Sequence, residues 1–364
     1  MSSQPDVDVV IPVHDPRRPI ARAVRSVLDH NHSDLRVTVV CHNTPITGIR
    51  AHLTAHVADE RLRMLELHDG IHSPTGPFNL GLDSATARFT SVMGSDDELE
   101  PGAVDSWLAV ANRDRAAAVI PRLRHVAGRA VPTPPVRPGR RSNLDGVKDR
   151  LAYRSAPLGL VSTREFGRER FVPGLGAGED VAYVTAVWFA GHRISFDRRG
   201  PAYLIHSDAQ DRVTMGAKPV SNDVAFMRQL VGDPRFTGLD SEQTLAVVIK
   251  LLRVHVFGIV SNRPDPAAWT PDDRRDLAEM TGTLLAIAPK AAGILSRADG
   301  RLLDAIQDRG VPVRRLIDLG RKRRRFLHPG ALVSNDLRLS LAREAPLRMM
   351  AASAIVRGFG PLGR

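Results

Sequence analysis

Short β-branched runs alternate with amphipathic segments over about the first 120 residues, and few folds accommodate that order. Asp8–Val13 (DVVIPV) and Leu35–Cys41 (LRVTVVC) have the composition of buried strands. The alternation continues through the strand pattern of Phe89–Met93 and the helical pattern of Pro101–Asn112. Alternating strands and helices predict an α/β fold with a mostly parallel sheet and helices on both faces.

Three of the predicted strands end in a short polar cluster. The clusters are His14-Asp15, His42-Asn43 and Ser95-Asp96-Asp97. Ligands bind beyond the carboxyl ends of strands in sheets of this kind, which predicts a site at this edge. Neighbouring carboxylates such as Asp96 and Asp97 raise each other's pKa or require a cation between them. A solvated turn that caps the following helix explains the same pair.

The remaining pattern divides the chain. A glycine-rich turn leads into Glu179 and Asp180 at the start of a helical pattern, where helix capping alone would explain two acids. Ser195–Ile205 reads as paired strands that lead to His206. Further helices are predicted at Ile49–Ala58, Asn79–Ala87, Glu242–Val260, Pro271–Ala288, Lys290–Gly310 and Leu332–Ile355. This change of pattern predicts two domains, residues 1–215 and 216–364, with a Pro-, Gly- and Arg-rich loop at 128–146.

Composition narrows the class of protein. Hydrophobic residues make up 43% and charged residues 25% of the 364, as in ordinary globular proteins. The single cysteine, Cys41, excludes an internal disulfide framework and fits a reducing compartment. The N-terminus lacks the pattern of a secretory signal, and no uncharged apolar stretch approaches the roughly 20 residues of a membrane span. We therefore expect a cytoplasmic protein, or one peripheral to the inner face of the membrane.

The charge is basic and uneven. The net charge is +11, and residues 301–364 carry 14 Arg and Lys against 5 Asp and Glu, a net +9. Such a balance favours acidic partners. A nucleic-acid-binding protein is one alternative, but the basic residues are concentrated in the tail, aromatic residues make up only 5%, and no recognised motif is present, so no specific nucleic acid is expected. A nucleotidyltransferase is another, although it would not need Glu179 and Asp180 beyond a glycine loop.

Five motifs occur in a fixed order over about residues 6–215: VVIPVHDP, FNLGLDSA, GSDDELEPGA, GAGEDVAY and YLIHSDAQDRVT. In this order they resemble the family-2 inverting glycosyltransferases of the GT-A fold, of the bacterial cell-envelope polysaccharide type. The resemblance implies transfer of a sugar from a nucleoside-diphosphate donor, a UDP-sugar, to a hydroxyl of a glycan or lipid-linked acceptor. It also implies a divalent cation, Mn²⁺ or Mg²⁺, on the diphosphate.

The resemblance assigns roles to individual residues. It implies donor-binding positions at Pro12, Val13, His14, Asp15, Asn43, Asp69, Asn79, Ser95 and Asp96. It implies Asp96, Asp97 and His206 as metal ligands. It implies Asp180 as the base that takes the proton from the attacking hydroxyl. Both cations prefer oxygen ligands and bridge carboxylates to substrate phosphates, which would give the adjacent acids a function.

The chain departs from the family pattern at three places. Gly94 stands where the first acid of the aspartate motif is often found, and His42-Asn43 stand in place of an Asp pair. Phe78 occupies a position that is often Arg. All three departures touch the nucleotide half of the site. They imply a different donor nucleotide, a reorganised recognition of uridine, or an enzyme that has lost its activity.

The C-terminal stretch Leu332–Ile355 is predicted as a basic amphipathic helix. Leu337, Leu341 and 347–350 would form its apolar side, and Arg338, Arg343 and Arg348 would supply cations. Such a helix can lie on an anionic membrane surface. Packing on its own domain, or pairing with a second copy in a homo-oligomer, explains the same pattern.

Overall fold

The computed structural model describes residues 4–126, 131, 136–208, 219–325 and 328–358. The chain divides into two compact units. The first takes in Met1–Thr133, Arg140–Asp145 and Arg154–Thr214, and the second Pro134–Gly139, Gly146–Tyr153 and Met215–Arg364. Two short segments that precede residue 216 thus belong with the helical part of the chain. The two predicted domains, 1–215 and 216–364, stay a prediction.

The first unit is built on a sheet to which the described residues contribute eight strands, in the order β3-β2-β1-β4-β7-β6-β8-β5. The strands are β1 (Val7–Val13), β2 (Leu35–His42), β3 (Leu62–Leu67), β4 (Phe89–Val92), β5 (Glu98–Leu99), β6 (Ala118–His125), β7 (Leu160–Ser162) and β8 (Ile194–Ile205). Strand β1 pairs in parallel with β2 and with β4, and β2 pairs in parallel with β3. Short β5 and β7 pair antiparallel with their neighbours. The predicted α/β fold class is confirmed.

The helices of this unit cover the sheet. They are α1 (Ile20–Leu28), α2 (Ile46–Arg50), α3 (Thr75–Asp83), α4 (Ala103–Asp114), α5 (Thr163–Phe166) and α6 (Val181–Phe189). Strand β1 is buried at every position except Pro12, which is half-buried, because both faces of a parallel sheet are covered. Trp107 of α4 and Trp188 of α6 are buried, so both belong to the core. Each large apolar side chain buried in this way stabilises the fold by about 1.5–3 kcal/mol.

Two predicted helices of the first unit were wrong in their bounds. Helix α2 ends at Arg50, far short of Ala58, and residues beyond it form turns, with His56 Nε2 lying 2.7 Å from Asp29 Oδ1. Helix α3 begins four residues earlier than the predicted Asn79 and ends at Asp83.

The predicted strand pair Ser195–Ile205 is the single strand β8. Its pairing with β6 shifts register between Pro121 and Arg122, so that Asp197 and Ala202 face successive residues of β6. The intervening residues of β8, which include Gly200 and Pro201, form a bulge. The sequence pattern that predicted two paired strands therefore belongs to one strand with a large bulge.

The second unit is helical in its described residues. Its helices are α7 (Val220–Gly232), α8 (Pro234–Thr237), α9 (Ser241–Lys250), α10 (Phe257–Asn262), α11 (Pro271–Ile287), α12 (Lys290–Ile294), α13 (Arg297–Gln307), α14 (Val313–Arg323), α15 (Pro329–Leu332) and α16 (Pro346–Gly358). A π-helical segment, Leu251–Val256, joins α9 and α10 into one helix of 22 residues. By length and composition alone this helix could cross a membrane, although Lys250 and Arg253 interrupt it. Most of it is buried inside the protein, as in a core helix.

Two predicted C-terminal helices are broken. The stretch Lys290–Gly310 divides into α12 and α13, because Ser296 caps the second helix by accepting a hydrogen bond from the N–H of Asp299. The stretch Leu332–Ile355 divides into α15, a 3₁₀ turn and α16, with Pro346 at the first position of α16. The single amphipathic helix was therefore a wrong prediction. The described part of the predicted loop, 136–146, forms no helix or strand, and the rest of it lies mainly outside the described residues.

Candidate active site

A cavity of about 500 Å³ lies where β1, β2 and β4 end. Its volume is within the range of small-molecule sites. Five predicted donor-binding residues line it: Pro12, Val13, His14, Asn43 and Ser95. The cavity thus brings together side chains from all three polar clusters that follow these strands. Asp15, another predicted donor-binding residue, follows His14 in the sequence but is not part of the cavity lining. The hydrogen bond that its carboxylate accepts from Arg17 lowers the pKa of Asp15 to about 2.

At the end of β2, His42 and Asn43 hold a carboxylate from another strand. Asp69 Oδ1 lies 2.8 Å from His42 Nε2 and accepts a hydrogen bond of 3.3 Å from Asn43 Nδ2. Asn43 Oδ1 accepts from the backbone N–H of Asp69 and of Gly70. Burial raises the pKa of Asp69, but hydrogen bonds from the N–H of Ile71, from His42 and from Asn43 outweigh it and lower that pKa. At this strand end the carboxylate is therefore that of Asp69. It is held by His42 and Asn43, the two residues that stand where the family often has a pair of aspartates.

Arg18 places a positive charge on the acid loop. Its Nε donates to Ser95 Oγ at 2.7 Å, and its terminal nitrogen lies 2.6 Å from Asp96 Oδ1. The two charged side chains are only 13% and 15% exposed. Arg22, one turn along α1, donates to the backbone carbonyl of Asp96 and pairs with Asp208 at 2.7 Å. Asp96 is therefore neutralised by an arginine that also lines the cavity.

Asp97 points away from this pair into the protein. Its Oδ2 accepts a hydrogen bond of 2.6 Å from the hydroxyl of Tyr203, and its Oδ1 accepts one from the backbone N–H of His206. Burial raises the pKa of Asp97, and the charge of Asp96 adds to this effect. The imidazole Nε2 of His206 lies 2.9 Å from Glu98 Oε2. The two adjacent acids thus have different partners.

The predicted metal ligands Asp96, Asp97 and His206 are not assembled into one ligand set. Among the residues that the structure describes, no group of three or more His, Cys, Asp or Glu side chains is placed to hold a metal ion. Asp96 faces Arg18, Asp97 faces Tyr203, and His206 faces Glu98. The residues in this arrangement do not fit a divalent cation, because ligands of such an ion must converge on one point.

The missing first acid has a local explanation. A Cβ atom at Gly94 would lie 2.9 Å from Asp97 Oδ2 and 3.0 Å from Asp96 Oδ1. Any side chain here would crowd both carboxylates, and an acidic one would also repel them. The conformation of this loop therefore favours glycine at position 94.

Asp180 begins helix α6 beyond the glycine-rich turn, where Gly178 has a φ of 76°. It does not line the cavity. Its neighbour Glu179 is largely buried, and this burial raises the pKa of the Glu179 carboxyl. A carboxyl group whose pKa is raised is suited to proton transfer, so Glu179 is a candidate for the base beside Asp180, which the family resemblance predicts.

The turn that carries these acids is tied to the cavity wall. Asn79 Nδ2 donates to the carbonyl of Phe171 at 3.0 Å, and the N–H of Phe171 donates back to Asn79 Oδ1 at 2.9 Å. The ring of Phe171 stacks on that of Phe78, which lines the cavity, with centroids 5.0 Å apart. Ser73, also in the cavity wall, donates to the carbonyl of Leu175. Asn79 is thus seen to position the loop before Asp180; its predicted contact with the donor stays a prediction.

Residues 8–160 match the family described as Glycosyl transferase family 2. The matched segment is similar to that family and makes up less than half of the chain. A relative in sequence is the GalNAc(5)-diNAcBac-PP-undecaprenol beta-1,3-glucosyltransferase of Campylobacter jejuni, 25% identical over 112 residues. The match covers 31% of this chain and only 36% of that protein. The cavity described above lies wholly within the matched family segment.

Solved structures share the fold over more of the chain. S. aureus TarS 1-349 in complex with UDP-GlcNAc superposes with a TM-score of 0.73 at 14% identity, covering 89% of this chain and 93% of that one. The same protein in complex with UDP gives a TM-score of 0.67 at 13% identity, with the same coverage. This likeness confirms the predicted fold class, GT-A-like with a helical C-terminal region.

Sequence reasoning missed Arg18 and His72, which line the cavity. His42 and Phe78 also line it; both were placed in the nucleotide half of the site, but neither was assigned to the donor. For Arg18 the available signal was weak: it follows a strand-end cluster by three residues, but its contacts are with a loop 77 residues away.

Proposed function

We propose that this protein is an inverting glycosyltransferase that moves a sugar from a UDP-sugar to a hydroxyl of a cell-envelope glycan or lipid-linked acceptor. The match of residues 8–160 to glycosyl transferase family 2 supports the reaction class. The relatives support the substrate class, since one is named for a PP-undecaprenol-linked glycan and another was solved with UDP-GlcNAc. The observation that carries the proposal is the cavity where β1, β2 and β4 end, with Arg18 in its wall.

Arg18 is proposed as the group that faces the donor diphosphate. A guanidinium carries five N–H donors, and Arg18 directs some of them to Ser95 and Asp96 at the edge of the cavity. Arginine binds phosphate through charge-assisted hydrogen bonds that are shorter and stronger than neutral ones. As the bond from the anomeric carbon to the diphosphate breaks, its electron pair leaves with the diphosphate. Arg18 would stabilise the charge that develops there.

Asp180 is proposed as the general base. The acceptor oxygen attacks the anomeric carbon from the face opposite the leaving diphosphate, which inverts the configuration at that carbon. The proton of the acceptor hydroxyl passes to the Asp180 carboxylate. The ties from Asn79 and Ser73 to the glycine-rich turn support a fixed place for this carboxylate beside the cavity.

Dependence on Mn²⁺ or Mg²⁺ stays a prediction of the family resemblance. The described residues give no converging set of ligands, so we route no step through a metal ion. If the enzyme requires a metal ion and Asp96 is one of its ligands, the Arg18–Asp96 pair must open when the donor binds.

The experiment is a panel of UDP-, GDP- and CMP-sugars, each scored for thermal stabilisation with and without Mn²⁺ and for release of the nucleotide. We expect a UDP-sugar to raise the melting temperature, because a ligand that binds only the folded state adds about 2.7 kcal/mol at a hundredfold excess over its Kd. Double-stranded DNA serves as the control. If no nucleotide sugar stabilises the protein while DNA does, the enzyme proposal fails and the nucleic-acid alternative gains support.

A second proposal concerns the membrane. Leu337 and Leu341 are 59% and 81% exposed, and Arg338, Arg343 and Arg348 lie close to them in sequence. Exposed apolar side chains beside cations favour a surface of anionic lipid, where each Arg adds about 1 kcal/mol. This would keep a cytoplasmic enzyme near a lipid-linked acceptor. A homo-oligomer formed through the same side chains is the competing explanation.

Leu337→Ser with Leu341→Ser is expected to lower co-sedimentation with phosphatidylglycerol vesicles about tenfold, since two leucines lose their burial in lipid. The control is Val57→Ser, because Val57 is also exposed, at 48%, but lies in the first unit. Sedimentation velocity of the same proteins reports the oligomer. Wild-type protein that ignores anionic vesicles at low salt would rule out the membrane contact.

A further inference from the structure

A second, smaller cavity of about 200 Å³ lies in the helical unit, outside the glycosyltransferase family segment. Its wall contains Arg301 from α13, Lys322 from α14, and Arg325 and His328 from the segment that follows. Leu319 and Ala298 complete it. No acidic residue is in its lining, which makes it a pocket of one charge sign.

The cations that line this cavity have no carboxylate partner among the described residues. Arg301, Lys322 and Arg325 form no ion pair there, whereas neighbouring arginines of the same helix do. Arg323 pairs with Asp299 at 2.6 Å, and Arg321 lies 3.8 Å from Asp318. The arginines of α14 that form ion pairs are therefore different from the cations that line the cavity.

Helix electrostatics alone do not account for this arrangement. Basic residues are favoured in the last turn of a helix, and Lys322 lies in the last turn of α14. Arg301, however, lies in the first half of α13, and His328 precedes α15. His328 Nδ1 accepts a hydrogen bond from the N–H of Gly330, so a neutral His328 ring carries its proton on Nε2 as a donor. Donors from three separate segments therefore meet at one place.

We infer that this cavity binds a phosphate group, in the form of a phosphate monoester, phosphodiester or diphosphate. Two arginines, a lysine and an imidazole donor match the several acceptor oxygens of such a group. The cavity is smaller than the roughly 300–1,000 Å³ of typical small-molecule sites, so it suits one anionic group of a larger molecule. The phosphate could belong to an anionic lipid or to a phosphate-containing polymer. This inference does not rest on the proposed transferase activity.

The test is a calorimetric titration of inorganic pyrophosphate into the full chain at low salt. The double variant Lys322→Gln with Arg325→Gln is expected to bind pyrophosphate at the second-unit cavity about tenfold or more weakly than wild type, since two charge-assisted contacts are lost. The matched control is Arg314→Gln with Arg315→Gln, which removes the same two charges from exposed positions of α14 that do not line the cavity. We expect this control to bind within about twofold of wild type, because more distant exposed charges are screened by salt.

Any binding of pyrophosphate in the first unit is common to all these proteins, so the difference between the two double variants reports the second cavity alone. A second arm repeats the comparison with vesicles of phosphatidylcholine containing phosphatidylglycerol, and it separates a lipid head group from a soluble phosphate. Loss in the cavity variant alone, in either arm, supports the inference. Equal loss in both variants would indicate diffuse attraction, and no loss in either would remove the site; both results overturn it.

Discussion

Asp180→Asn should lower the rate of sugar transfer by about 10²–10⁴-fold and leave donor affinity close to that of wild type, since general-base help has this size. An asparagine side chain has the same shape as aspartate but cannot accept the proton of the acceptor hydroxyl. The substitution removes a charge from the start of α6 and costs the helix about 0.3–1 kcal/mol of stability, too little to unfold the chain. The measurement is kcat for nucleotide release in the presence of acceptor, beside the Kd for UDP.

Glu179→Gln is the matched control, since it makes the same chemical change one residue earlier. Glu179 is largely buried and its pKa is raised by that burial, so it is the competing candidate for the base. A raised pKa means that the Glu179 carboxyl takes up its proton at higher pH than an exposed glutamate, and a base of this kind would lose activity as the pH falls through that pKa. If Glu179→Gln loses turnover while Asp180→Asn keeps it, the two roles are reversed.

The parts of the fold that could be predicted are those that depend on burial. Strands β1, β2 and β4 are buried at nearly every position, and β1 and β2 are rich in β-branched residues, which makes these two strands easy to recognise. Where such runs end, polar residues follow, and parallel pairing brings these ends together at one edge. The position of the cavity therefore followed from local sequence and one topological rule.

The contacts within the site could not be predicted, because they join segments that are far apart in the chain. Asn79 and Phe171 are 92 residues apart, and nothing near either residue indicates the other. The same holds for the hydroxyl of Tyr203, which donates to Asp97 across a separation of 106 residues in the chain. Asp96 and Asp97 looked like a metal pair in sequence because adjacent carboxylates are assumed to face one ligand. Their different partners are a property of the tertiary structure.

The helical tail shows a different limit. Leu337, Leu341 and Leu347 recur at spacings that suggested one amphipathic helix, yet all three are half or more exposed and lie on separate elements. The signals that break the helix were present in the sequence. Asp336 accepts a hydrogen bond from the N–H of Arg338, and Pro346 starts α16. The capping residues therefore divide this stretch into separate elements despite the spacing of its leucines, which are exposed and do not pack into a core.

Arg18→Gln is expected to weaken the affinity for UDP about 10–100-fold, since one or two charge-assisted hydrogen bonds to the diphosphate are lost. The same substitution leaves Asp96 without its partner at 2.6 Å, and the uncompensated carboxylate repels the diphosphate as well. Arg18→Lys keeps the charge but not the planar fork of donors, so the UDP affinity of this variant should lie between those of wild type and Arg18→Gln. The measurement is calorimetry with UDP, with and without Mn²⁺.

Arg17→Gln is the control for Arg18. It removes the same charge from the adjacent residue, whose side chain is 84% exposed and pairs with Asp15. Because salt screens an exposed charge of this kind, we expect UDP affinity within about twofold of wild type. Mn²⁺ distinguishes two roles of the arginine. If Mn²⁺ restores UDP binding to Arg18→Gln, then arginine and metal act as alternative partners of Asp96, and the metal prediction gains support. If Arg18→Gln binds UDP as tightly as Arg17→Gln without any metal, Arg18 is a structural partner of the acid loop and does not face the donor.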